Sequence, residues 1–584
     1  MTRIARRLCA LLFSLCLCSP WLAAGALAQD APPQDAPPQD ATGDWHGLLA
    51  LTPKTNLPLA VHLKSGASGL EGTLDNPDQG VSGEPLSDVS ARDGKLTFTG
   101  SLAHGTFNGV WDPAILGWKG AISLAGHDYP LVLTAGDLPV WNTPSDADIR
   151  ALLAQRIDAG YRGIAMVVGV IDSSGRRIVA YGVRSAADPR PPDGDTVFEI
   201  GSITKSFTGL VLADMIDKGE VGLDDPVVKY LPADVTVPSH GGKQITLADL
   251  VTNTSGLPDN PADVAAVRPA DPYAGYQAST AQLFELLRQI QLGRDPGVSP
   301  SHSNLGVGLL GVALARRAGQ SYAALVESRI TRPLGMESTA VAPTPSMRAR
   351  RLAGHGVYLL PAPDIQLGDL AGAGALNSTA NDMLGFLAAE LGFADSPLQQ
   401  AMATQLSAIR RPNGVGYDMA LEMIVSHAGS LVLTNGGTFG FQSFLGFDAK
   451  RRVGVVVLAN VGQGSGPRVT DDIGMHILTG SAVASLPAPS PAPTAIVLPA
   501  EALEHYVGRY ELGPRASITV TRDGDHLFAQ LTGQPSFEIF PGSSTSFFWK
   551  IVDAQLSFVV GPDGQVTGAV MHQNGRNSPA ARAP

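Results

Sequence analysis

The sequence predicts a central domain of mixed helices and strands flanked by two small all-β modules. Three observations carry that expectation. From about residue 43 to 137, short alternating runs such as KLTFTG, GTFNGVW and GWKGAISLAG are broken by Gly, Asp and Asn, the texture of strands joined by tight turns. Near 145 the texture changes to mixed helix and strand, and this continues to about 482. Beyond 497, ITVTRDGDHLFAQL places alternating apolar residues on either side of Asp523-Gly524, and QLSFVVGPDGQVTGAV repeats the arrangement around Asp563-Gly564, as hairpins do.

The elements follow in order along the 584 residues, a length that allows two to four domains with sizeable cores. Residues 1–28, with an Arg-rich start, an apolar stretch and a final Ala-Leu-Ala, read as a cleaved signal peptide, so a periplasmic or secreted protein is expected. The Arg6-Arg7 pair does not decide the export route, and Leu17 before Cys18 argues against lipidation. No later apolar run is long enough to span a bilayer, so no stable membrane span is expected in the mature chain. Residues 29–42 form a linker, since the repeat APPQDAPPQD is too Pro-rich and polar to pack a core. The first β domain takes 43–137 and the central domain 145–482. A second Pro-rich linker, 483–496, contains SLPAPSPAPTA, and 497–584 form the last β domain.

Composition excludes several kinds of chemistry. Cys9, Cys16 and Cys18 all lie in the signal segment, so the mature chain has no disulfide, catalytic thiol or Cys-based metal site. The formal net charge is −12, and loss of Arg3, Arg6 and Arg7 with no acids takes the mature chain to −15. So acidic a protein is a poor ligand for a phosphate backbone, and no nucleic-acid partner is expected. The remaining histidines are scattered without metal-ligand spacing, so no metal is expected. A small-molecule, peptide or glycan substrate fits better.

One stretch carries candidate chemistry. In FEIGSITKSFTG, residues 198 to 209, Ser202 and Lys205 stand three apart, and Ile203, Phe207, Leu210, Val211 and Met215 then recur at spacings of three and four. That pattern predicts a helix with one buried face and Ser202 in its first turn, where free backbone N–H groups favour negative charge. A side chain three residues on projects from the same side, so Lys205 can reach the serine hydroxyl. A buried lysine loses its charge readily and can accept the serine proton. The same spacing also suits the start of an ordinary core helix, and residue pattern alone leaves both readings open. Lys205 is the only lysine with a serine three residues before it, and no Gly-x-Ser-x-Gly or His-Glu-x-x-His segment competes.

FEIGSITKSFTG closely resembles the active-site segment of the serine β-lactamase and penicillin-binding protein superfamily, especially class C β-lactamases and the related DD-peptidases and esterases. Further ordered matches are LVTNTSGLPDNP, PGVSPSHSNLGVGLLG, AGAGALNSTANDMLGFL, LTNGGTFGFQSFLGFD and VGVVVLAN, spanning roughly residues 145 to 480. The resemblance implies a mostly antiparallel sheet with a helical subdomain, two-step acyl transfer and no cofactor. By the same resemblance, Ser202 is the acylated nucleophile and Lys205 its amine partner. His302-Ser303-Asn304 stands for the family's Tyr-x-Asn, with Asn304 bonding Lys205 and the substrate amide. Thr434-Asn435-Gly436-Gly437 stands for Lys-Thr-Gly, with Gly437 and Ser202 supplying the oxyanion-hole N–H groups.

Two departures matter. His302 replaces a tyrosine; imidazole titrates near neutrality, so His302 is a candidate general base, the alternative being a structural hydrogen bond. Thr434 replaces a cation that normally binds a substrate carboxylate, which tilts the expectation towards esters or amides lacking that group. Asn253 stands where relatives often carry histidine, read as a packing difference. Asp224-Asp225 reads as a polar turn between helices. Trp45, Trp111 and Trp118 in the first β module are expected to pack its core rather than stack sugars. The expected function is an exported serine hydrolase acting on cell-wall peptides, β-lactams, esters or amides. The rival is an envelope binding protein that keeps the fold and has lost turnover.

Overall fold

The computed structural model describes residues 41–583 except 53–54, 68, 77–80, 101–104, 125, 137–140, 159–163, 186, 262–276, 408–416, 420, 427–429, 463–467, 482, 484–492, 514–515, 533, 535 and 574–575. The signal segment, nearly all of the first linker and most of the second lie outside the described residues.

Between Gly43 and Ala135 the alternating runs form a nine-stranded antiparallel sheet. Its core is aromatic: Phe98 and Phe107 stack with ring centroids 4.9 Å apart. Trp45, Trp111 and Trp118 meet edge to face at 5.2 to 6.1 Å, with Trp45 and Trp118 buried, so the tryptophans pack inward as the alternation requires.

The central domain is a sandwich around a seven-stranded antiparallel sheet. The strands are β1 (Ala165–Asp172), β2 (Gly175–Gly182), β3 (Tyr417–Met419), β4 (Ile424–Ser426), β5 (Leu431–Gly437), β6 (Gln442–Asp448) and β7 (Val453–Ala459), in spatial order β2-β1-β7-β6-β5-β4-β3. The middle strands β1 and β7 are near-continuous apolar runs because both faces are covered. Helices α1 (Asp146–Asp158) and α2 (Val469–Thr479) cover one face, packing Leu153 and Ile473 on Val168 and Val457. The other face carries α3 (Thr204–Asp217) and α4 (Ala380–Glu390), and beyond them a helical subdomain that includes α5 (Asn304–Ala318).

Helix α3 differs from the one-faced helix its spacing predicts, because every residue from Thr204 to Met215 is buried. The helix is clamped between sheet and helical subdomain, and a helix buried all round is the stable solution there. Ser202 precedes it in a 3-10 turn, Gly201–Ile203, rather than in the helix proper.

The last module is a closed eight-stranded antiparallel barrel from Gly508 to Arg582, filled by Tyr510, Phe547, Leu556 and Phe558. Asp523-Gly524 and Asp563-Gly564 sit at turns, with both glycines at positive φ (60° and 78°). The barrel docks on the central domain through Tyr358, whose ring lies edge-on to Phe548 and whose hydroxyl donates to Asp553 Oδ1 at 3.3 Å.

Candidate active site

Backbone geometry brings the two halves of the site together. Gly201 adopts φ 50°, and a Cβ there would stand 2.6 Å from the Gly437 nitrogen. A Cβ on Gly436 would stand 2.0 Å from the Ile200 carbonyl oxygen and 2.9 Å from the Ser202 nitrogen. Only glycines permit this approach of the β5 end to the serine turn. Thr438 N–H donates to Phe441 C=O at 2.9 Å, so ladder alternation turns the Gly437 N–H away from β6. Arg468 Nη2 donates to the Gly436 carbonyl at 2.8 Å and fixes the same peptide unit from behind. Because a trans peptide's N–H opposes its C=O, the Gly437 N–H is directed to the serine side.

The side chains converge on Lys205, which is 2% exposed. Its Nζ donates to Ser202 Oγ at 2.8 Å, Asn304 Oδ1 at 2.9 Å and the Ala373 carbonyl at 2.7 Å. Burial pushes the ammonium down to about 8, against the opposing pull of Glu422 and Asp259. Asn304 opens α5, and the Ser303 hydroxyl before it caps the helix by accepting from Gly306 N–H at 2.9 Å. The Asn304 amide in turn donates to Asn260 Oδ1 at 3.0 Å, which orients its oxygen towards the lysine.

His302 stands at the same cavity, more than half exposed, and its Nδ1 meets Asp259 Oδ1 at 2.9 Å. Among the described residues it makes no hydrogen bond to Ser202, whose hydroxyl is held by Lys205 alone. Asp259 also accepts from the Asn304 N–H at 3.1 Å. Burial acts to raise the Asp259 carboxyl, but the hydrogen bond and charge of His302 and the Asn304 N–H hold it below its ordinary value.

Ser202, Lys205, His302, Asn304, Thr434, Asn435 and Gly437 all line one cavity of about 640 Å³. Gly436 is the exception among the expected site residues: it lies against the Ile200 carbonyl behind the cavity wall, so the approach it permits is its contribution, not contact with a ligand. Asn435 is also partly withdrawn, since its amide donates to Asp471 Oδ2 at 2.8 Å. The cavity wall is braced by Glu199, which pairs with Arg351 Nη2 at 2.6 Å and accepts from Ile365 N–H at 3.0 Å.

Sequence reasoning missed Glu422. It is buried at the cavity, with burial pushing its carboxyl up to about 7, and it accepts from Asn253 Nδ2 at 2.9 Å. Both partners are non-glycine residues in the left-handed region, Asn253 at φ 56° and Glu422 at φ 63°. Such strain persists only where the surroundings over-determine it. Asn253 is thus more than a packing difference: its side-chain oxygen also accepts from Ser303 N–H at 3.1 Å and ties Glu422 to the start of α5. Asp259 and Asn260 were within reach of sequence reasoning, because they close the segment LVTNTSGLPDNP. Glu422 has no motif around it and carried no signal. Among the described residues, no group of three or more His, Cys, Asp or Glu side chains is placed to hold a metal ion.

Comparison with known proteins follows the same division of the chain. The Beta-lactamase family model matches residues 149–478, and a domain of unknown function (DUF3471) matches residues 492–580. The chain is 35% identical over 248 residues to the D-alanyl-D-alanine-carboxypeptidase/endopeptidase AmpH of Escherichia coli strain K12, an alignment covering 42% of this chain and 62% of that protein. It is 25% identical over 430 residues to Penicillin-binding protein 4* of Bacillus subtilis strain 168, covering 69% of this chain and 91% of that one. A class C beta lactamase structure from Rhodobacter sphaeroides aligns at 26% identity with a TM-score of 0.49, covering 57% of this chain and 98% of that one. The chain thus spans somewhat under two thirds of the length of AmpH, at 62%.

Proposed function

The chain belongs to the Beta-lactamase family, and we propose that it is an exported serine hydrolase that works through an acyl-enzyme on Ser202. The substrates are cell-wall peptides, β-lactams, or small esters and amides. The observation that carries the reading is the 2.8 Å hydrogen bond between Lys205 Nζ and Ser202 Oγ, made by a buried amine brought down to about 8. Neutral Lys205 takes the hydroxyl proton as Ser202 Oγ bonds to the substrate carbonyl carbon. The N–H groups of Ser202 and Gly437 receive the negative charge that develops on the carbonyl oxygen. Collapse expels the amine or alcohol, which leaves with the proton held by Lys205. Water then attacks the ester carbonyl, Lys205 accepts a proton from it, and the acid departs as Ser202 recovers its hydrogen.

In this scheme Asn304 holds Lys205 in place and offers its amide side to the substrate. His302, bonded to Asp259 and not to the nucleophile, orients Asp259. Export is supported by the Arg-rich, apolar, Ala-ending start of the sequence. No helix among the described residues is long and apolar enough to cross a membrane. AmpH and Penicillin-binding protein 4* are named for a carboxypeptidase/endopeptidase activity and for penicillin binding, which points the substrate proposal to cell-wall peptides and β-lactams.

Intact-mass measurement of the mature protein after a fluorophosphonate and, separately, a penicillin tests the reading. A mass increase lost in Ser202→Ala is expected with at least one reagent. No adduct with either reagent on folded protein would leave the binding-protein alternative.

A further inference from the structure

We propose that Lys550, contributed to the substrate cavity by the C-terminal barrel, is the residue that binds the anionic end of the substrate there. The inference rests on the acyl-transfer reading of Ser202 and narrows it.

The cavity is not a property of the central domain alone. Phe537, Lys550 and Ile551 of the barrel line it together with Ser202 and Lys205. Tyr358 anchors this arrangement through Phe548 and Asp553, residues on either side of Lys550 in the chain. Tyr358 and the following Leu359 both adopt left-handed backbone, φ 57° and 58°, so the loop that receives the barrel is held in a costly conformation.

The charges in the cavity are otherwise accounted for. Lys205 is spent on Ser202, Asn304 and the Ala373 carbonyl. Asp259 is spent on His302 and the Asn304 N–H, and Glu422 accepts from Asn253. The β5 strand brings no cation: Thr434 is neutral, and Asn435 is bound to Asp471. Arg468 is held behind the strand by the Gly436 carbonyl and Asp471. Lys550 differs from all of these. It is exposed, and its Nζ lies over the Phe540 ring, 3.5 Å from the centroid, with no carboxylate paired to it among the described residues. An aromatic face orients an ammonium while leaving its N–H donors available. Lys550 lines the cavity together with apolar Phe537 and Ile551, and a lysine at that wall of a cavity sized for a small molecule favours a compact ligand with an anionic end and an apolar flank. The charge missing from Thr434 is thereby supplied by a different domain.

Calorimetric binding of N-acetyl-D-alanyl-D-alanine and of its C-terminal amide to the full chain carrying Ser202→Ala tests this without turnover. The free acid is expected to bind at least about tenfold more tightly than the amide, as a charge-assisted hydrogen bond provides. Adding Lys550→Gln should erase that preference, and Lys550→Arg should retain most of it. Equal affinity for acid and amide, failure of both to bind, or a preference that survives Lys550→Gln would overturn the proposal. The two readings fail separately: absence of a Ser202 adduct leaves the acid preference intact, and absence of the preference leaves the Ser202 adduct intact.

Discussion

At the residue scale, the proposed acyl transfer turns on a single buried amine. Lys205 must be neutral to accept the serine proton, so kcat/KM is expected to rise with pH through about 8, where burial has brought its ammonium. Glu422 and Asp259 are the carboxylates that pull the other way, and both favour the charged lysine. Glu422, itself pushed up to about 7, is largely ionised at pH 8 and helps hold that proton. Glu422→Gln keeps an acceptor for Asn253 and removes the charge, so the ascending limb should move to lower pH. A limb that stays in place would take Glu422 out of the electrostatics of Lys205. His302 was open to two uses from sequence, and its bond to Asp259 rather than to Ser202 favours the structural one. No distance in the sequence encodes that choice, since it depends on a ring turned towards a carboxylate 43 residues earlier.

At the scale of elements, the site is a meeting of a strand end and a helix start. Strand β5 delivers Gly437 and α3 follows Ser202, and what lets them touch is the absence of side chains at Gly201 and Gly436. Gly436→Ala sets a Cβ 2.0 Å from a backbone oxygen, a contact that no side-chain adjustment relieves. Displacing the strand end by even about 1 Å is expected to cost roughly 100-fold in kcat/KM. Steady-state kinetics beside a thermal melt checks this, and wild-type kcat/KM in a folded Gly436→Ala protein would show that the close approach is dispensable. The start of α3 was legible because a Ser-x-x-Lys spacing and an apolar helical period coincide in one dozen residues. That the helix is buried all round was not, because its second buried face is made by the helical subdomain and not by its own periodicity.

Across the whole molecule, the described residues form four buried apolar clusters, one in the first β sheet, two in the sandwich and one in the barrel. Each module thus has apolar packing of its own, while the sandwich and the barrel share the walls around Ser202. Independent cores predict more than one thermal transition. Phe547→Ala, at a fully buried barrel position, should lower one transition by about 3–5 kcal/mol and leave the others in place. Scanning calorimetry reads this directly, and a single transition shifting as a whole would mean that the modules unfold together.

The sequence by itself determined the mixed character of the centre and the all-β flanks, and it singled out the candidate nucleophile segment, because each is written in local period or in a short motif. The FEIGSITKSFTG match and the alternating runs around Asp523-Gly524 needed only neighbours a few residues away. Tertiary structure alone decided that Glu422 stands beside Lys205, that Asn253 joins it across 169 residues, and that a barrel lysine lines the same cavity as the serine of another domain. The physical reason is that burial and charge proximity are properties of folded distance. A carboxylate becomes part of a site only when the chain brings it into the same low-dielectric space, and no local pattern records that event.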